Sequence, residues 1–152
     1  MLKRFIVILT IFISLDSCHP FICSWNSGYE QLLELPDNKV FIGNYRLAKK
    51  SLDFLKTKGY KENCELKVLE SNTFELINAP DLMLNSFDRK NGSTIDTIGK
   101  WSVNCGESYG CMFELEGIVV APIARKNNGP ISILITIGDG DECNGIIFEK
   151  EK

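Results

Sequence analysis

The chain has 152 residues, enough for one domain with a real core and too few for two comfortable ones. Its 44% hydrophobic and 24% charged residues are those of an ordinary globular protein. A formal net charge of −3, with no basic run, argues against strong attraction to nucleic acid or to an anionic membrane surface.

The first residues read as a targeting segment. Lys3 and Arg4 form a positive start, and Phe5 to Leu15 is apolar apart from Thr10 and Ser14. Such a run is too short to span a bilayer, which takes about 20 residues, and fits the apolar region of a secretory signal peptide. No second apolar stretch approaches spanning length. The run ends in Leu15-Asp16-Ser17-Cys18, which resembles a bacterial lipobox, with Asp16 departing from the usual small or apolar residue. The resemblance implies cleavage before Cys18 and acylation of its thiol and amine. Acyl chains contribute about 0.8 kcal/mol per buried CH₂, so several would hold the protein on a membrane. The alternative is ordinary secretory cleavage with Cys18 kept for a disulfide. The expected organisation is a signal peptide over 1–17, an anchor, tether and capping segment over 18–38, and one β-rich domain over 39–152.

The tether carries an apolar cluster at Leu32, Leu33 and Leu35, and a short helix there would end at Pro36. Strand character begins at residue 40, where Phe41, Gly43, Tyr45 and Leu47 share one face and Asn44 and Arg46 the other. A short helix follows, with Ser51 as its cap, Leu52 and Leu55 on its apolar face, and Gly59 as its stop. Residues 64–70 and 73–77 alternate through Leu66, Val68, Phe74 and Leu76, joined by a hairpin turn at 70–72. The stretch 78–94 interrupts the strands, with turn residues at both ends and Leu82, Met83, Leu84 and Phe87 between them. Trp101 and Val103 then share a face. Ile98 is out of phase with them, and Gly99 suggests a bulge. Residues 111–124 give two strands broken near Gly117. Ile131, Ile133, Ile135 and Ile137 make the cleanest alternation in the chain, and 146–150 closes as a last strand.

Roughly eight strands with short connections and one or two short helices predict a mostly β fold, an antiparallel meander forming a small barrel or sandwich. Export implies an oxidising compartment in which cysteines pair. Cys105 and Cys111 flank a loop between strands, where a bridge would pin the two strand ends. Cys64 with Cys143 is a second candidate pair, reached by elimination with Cys23 left over. Neither CxxC spacing nor histidine partners suggest a zinc site.

Gly43-Asn44-Tyr45 resembles the Gly-x-aromatic opening of the first strand of lipocalin-like domains, whose aromatic plugs one end of a barrel. The chain from Gly43 to Lys150 resembles a group of small, uncharacterised bacterial lipoproteins. The shared marks are the Gly-x-Tyr strand, the loop Asn78-Ala79-Pro80-Asp81, the Gly99-Lys100-Trp101 strand, and the closing Ile137 to Asp141 with Phe148 to Lys150. Gly140 stands where that group usually has proline. The resemblance implies a lipocalin-like fold and an envelope location, facing periplasm or exterior, and brings no biochemical activity.

Little catalytic chemistry is visible. His19 is the only histidine and lies outside the expected domain, which removes Ser-His-Asp and Cys-His arrangements and most zinc enzymes. Asp139 and Asp141 alternate as calcium ligands would, but Cys143 and Gly145 break the pattern. That stretch reads as a polar turn whose Asp side chains bond nearby backbone N–H groups. Glu114 and Glu116 read as a solvated strand face rather than a glycosidase pair. The expectation is a non-catalytic binding or interaction module with no cofactor, metal or nucleic-acid partner. The alternatives are a small apolar-ligand carrier with a lipocalin-like pocket and an inhibitor or immunity-like factor. Candidate contact residues are Tyr45 and Trp101 near the interior, Leu82, Met83, Leu84 and Phe87 as a cap on one end of the barrel or else a lid or contact surface, and Tyr109 in the Cys105–Cys111 loop, as a contact or lying along the sheet.

Overall fold

Residues 23–84 and 92–152 are described by a computed structural model. They form β1 (Tyr29–Gln31), β2 (Gly43–Leu47), α1 (Lys49–Thr57), β3 (Glu65–Val68), β4 (Thr73–Pro80), β5 (Thr94–Gly106), β6 (Gly110–Leu115), β7 (Val119–Lys126), β8 (Ile131–Thr136) and β9 (Gly145–Lys150). From β2 to β9 each strand pairs antiparallel with the next, and β9 pairs back to β2 through Arg46↔Glu149. The result is a closed up-and-down barrel of eight strands, the expected fold class, and closure removes free sheet edges.

Alternation decides which side chains fill it. Phe41, Tyr45, Leu66, Phe74, Leu76, Phe113, Leu115, Ile123, Ile133, Ile135, Ile146 and Phe148 are all buried in one contiguous core. Asn44 and Arg46, on the other face of β2, are exposed. Connections at 48–64, 116–118 and 137–144 gather at one end, here called upper, with the turn at 81–84 that follows β4. Those at 69–72, 107–109 and 127–130 lie at the lower end.

Several local expectations are corrected. Residues 27–35 form no helix before Pro36. A 3-10 turn at Ser24–Asn26 leads instead to β1, which pairs with β7 through Tyr29↔Lys126 and Gln31↔Ala124. Leu32 extends this lane, donating its N–H to the Ile123 carbonyl (2.8 Å) and accepting from the Cys111 N–H (2.7 Å). Backbone pairing with an existing sheet satisfies the peptide groups that a short isolated helix would leave to water. Segment 23–32 is therefore a strap on the barrel wall.

Ser51 does not cap α1. Ala48 occupies that position without a side-chain bond, and Ser51 lies buried in the first turn. Its hydroxyl accepts the Ile147 N–H at 2.8 Å, fastening the helix to β9. The bulge is not at Gly99 but in β4, where the register shifts between Leu76 and Ala79 and Asn78 takes φ 52°. Asparagine tolerates that left-handed conformation better than most residues. Gly99 serves packing instead: a Cβ there would fall 2.7 Å from Cε1 of Phe74. With Gly99 and Trp101 facing inward, Ile98 points to solvent.

Candidate functional site

The two aromatic candidates of the interior are structural plugs with satisfied polar tips. Tyr45, on β2, is 1% exposed and its hydroxyl donates to the Phe41 carbonyl at 2.7 Å. Burial pushes its pKa above the ordinary tyrosine value, because the barrel interior disfavours the phenolate. Trp101, on β5, donates its Nε1–H to the Leu69 carbonyl at 3.0 Å. Its ring stacks on Phe113, with centroids 5.5 Å apart and an interplanar angle of 7°. Phe41 meets both rings edge-on, at 6.3 and 6.1 Å. Each such pair contributes about 0.5–1.5 kcal/mol beyond its area burial. This three-ring cluster fills the lower part of the barrel beside the β3–β4 turn.

At the upper end, a 3-10 turn at Asp81–Met83 follows β4. Leu82 and Met83 are buried in the main core, so they close the barrel end and present no contact surface, while Leu84 is half-buried. Phe87 lies outside the described residues. Tyr60, just after α1, donates its hydroxyl to Asp81, latching the segment after the helix to the end of β4. Its pKa is pushed up to about 12 by burial and then by the Asp81 carboxylate. Asn78 anchors the same corner, its N–H donating to Asp96 Oδ1 at 2.8 Å.

Tyr109 sits at the tip of the β5–β6 hairpin and is half exposed. Its carbonyl accepts from Gln31 Nε2 at 2.6 Å, and its ring lies across Gly106, where there is no room for a Cβ. The hairpin is pinned by the Cys105–Cys111 disulfide between directly paired residues, as the spacing suggests. The second pairing differs from expectation: Cys143 bonds to Cys23, not to Cys64. Elimination failed because it placed Cys23 on a free tether, whereas the strap returns it to the β8–β9 loop. Cys64 is a buried free thiol. Its pKa is pushed up to about 12 by burial and then by the Glu65 charge.

The loop Ile137 to Asn144 is closed by backbone bonds, Ile137 N–H to the Asn144 carbonyl at 2.9 Å and Glu142 N–H to that of Asp139 at 3.0 Å. Asp139 makes no side-chain cap bond, so the expected Asp-to-backbone bonding is not what holds the turn. Disulfide-bonded Cys143, at φ 51°, fixes the turn instead. Among the described residues no three His, Cys, Asp or Glu side chains are grouped to hold a metal ion. Glu114 and Glu116 are exposed on the outer wall, Glu114 accepting from Ser102 Oγ at 3.0 Å.

The clefts lined by described residues include three of 230–430 Å³ on the outside of the barrel. One runs along β4 and β5 by Glu75, Ile77, Asp96 and Ile98. A second lies by Lys100, Ser102, Glu114 and Glu116. The third lies under the strap, between Trp25, Tyr29 and Leu134. Exposed large apolar side chains on the outer wall include Ile98 and Val120. No family model matches this chain, and neither does any curated protein or solved structure.

Proposed function

We propose that this protein is an exported lipoprotein, anchored to a membrane of the bacterial envelope through Cys18, and that it works by binding a partner rather than by catalysis. The observation that carries a binding role on the outer surface is the occupancy of the interior. Phe41, Tyr45, Trp101 and Phe113 take up the lower barrel, with the Tyr45 hydroxyl and the Trp101 Nε1–H already bonded to the chain. A carrier of apolar ligands needs that volume, since small barrels fill with side chains unless a cavity is left. The anchor rests on the sequence of residues 3–18 and on the resemblance to small lipoproteins. Two disulfides agree with an oxidising compartment.

The test is the intact mass of the mature protein from a membrane fraction, with and without reduction and alkylation. A chain starting at Cys18 with added acyl mass, two bridges and one free thiol is expected. An unlipidated mass in the soluble fraction would replace the anchored reading with a free secreted one. Retention of a co-purifying apolar small molecule would favour the carrier.

A further inference from the structure

We infer that the Cys23–Cys143 disulfide orients the barrel on the membrane, holding its upper end toward the lipid and presenting the lower end, with the Tyr109 hairpin, outward. The inference rests on the lipid-anchor reading and adds a direction to it. Cys18 and Cys23 are five residues apart. A chain extends at most about 3.6 Å per residue, so the acylated residue stays within about 18 Å of the disulfide. The disulfide seats the chain on the 137–144 loop, at the upper end.

From there the strap is held down the outer wall. Trp25 lies flat over Gly145, which leaves no room for a Cβ. Four residues on, the Tyr29 hydroxyl donates to Glu149 Oε1 at 2.5 Å, four residues along β9. Strap and strand thus run side by side downward, turn at Gly28 (φ 84°), and return upward as β1 on β7. Trp25 and Tyr29 pack against Ala48, Ala124, Leu134 and Ile147. The tether therefore leaves the molecule at one point. The six residues of β9 span about 20 Å along the strand, a length comparable to this reach, so the disulfide biases the upper end toward the surface. Without the disulfide the first backbone pairing to the barrel is at Tyr29. The free span then becomes eleven residues, about 40 Å, and the barrel can turn over. Charge does not set this direction, because Lys49 and Lys50 on α1 share the upper end with Asp139 and Asp141.

The two tryptophans are natural probes: Trp25 lies beside the tether, and Trp101 lies inside the barrel, midway along β5 and bonded to the β3–β4 turn. The full acylated protein is reconstituted in phosphatidylcholine vesicles containing a headgroup-nitroxide lipid, and fluorescence quenching is read for W101F and W25F separately. Trp25 should be quenched several-fold more than Trp101, at low and high salt alike. In W25F carrying Cys23→Ser and Cys143→Ser, quenching of Trp101 should rise. On the unmodified protein, Lys50 should be protected from a water-soluble amine reagent on vesicles relative to detergent, and Lys126 should not. An acylated protein with equal or reversed quenching overturns the orientation alone. No change on removing the disulfide overturns its role. An unacylated mass overturns the anchor and the orientation together.

Discussion

The barrel has two outer walls built from the same kind of strand, and they meet different fates. On β7, β8 and β9 the outward residues Ala124, Leu134 and Ile147 are buried, because the strap lays Trp25 and Tyr29 across them. On β5 and β7 near the other side, the outward Ile98 and Val120 are 74% and 57% exposed. The difference lies in what covers each wall. A disulfide across 120 residues of sequence brings a cover to one wall, and no described segment crosses the other.

The largest effect on this contrast should come from the bond that holds the cover. Closing so long a loop contributes about 5 kcal/mol in the chain-entropy account. Cys23→Ser with Cys143→Ser is expected to lower the urea midpoint, with an unfolding free energy reduced by that amount or somewhat less. An unchanged midpoint would mean that β1 alone holds the strap. Leu134→Ala, on the covered wall, should cost about 2 kcal/mol, the lower end of the range for a buried leucine. Ile98→Thr, on the open wall, should stay within about 0.5 kcal/mol. Equal costs for the two would erase the distinction between the walls.

Gly99→Ala sharpens the comparison from the inside. Its Cβ would press on the Phe74 ring at 2.7 Å, and overpacking of this kind costs about 1–3 kcal/mol. A neutral result in thermal melting would show that the ring can yield. The smallest and slowest signal is chemical. The Cys64 thiol, at about 12 against an ordinary 9.0, should alkylate at pH 8 only after denaturation. The folded state holds this proton more tightly than the unfolded chain. Its contribution is therefore complete below pH 9 and fades as pH rises toward 12. Midpoints measured across that window should fall; rapid labelling of native protein at pH 8 would contradict the burial.

Much of the barrel was legible because period-2 alternation reports directly on which face is dry. Phe41, Tyr45 and Leu47, Leu66 and Val68, Phe74 and Leu76, and the isoleucines from 131 to 137 all face the core as their spacing implies. Gly59 and Gly117, both at positive φ, end their elements where glycine was expected to. The Cys105–Cys111 bridge was legible too, since it joins residues that the hairpin places opposite each other. The candidate site was less so. Leu82 and Met83 read in sequence either as a barrel-end cap or as a lid, and only the turn after β4, which points them into the core, decides for the cap.

What sequence alone determined is therefore local: strand phase, turn positions and the short disulfide. Tertiary structure decided the rest. It closed β9 onto β2, moved the bulge to Asn78, turned Ser51 from a cap into a bolt on Ile147, and gave Cys143 to Cys23 rather than Cys64. Each of these joins residues far apart in the chain. Local periodicity carries no information about such pairs. They form because closing the barrel brings otherwise distant segments into contact.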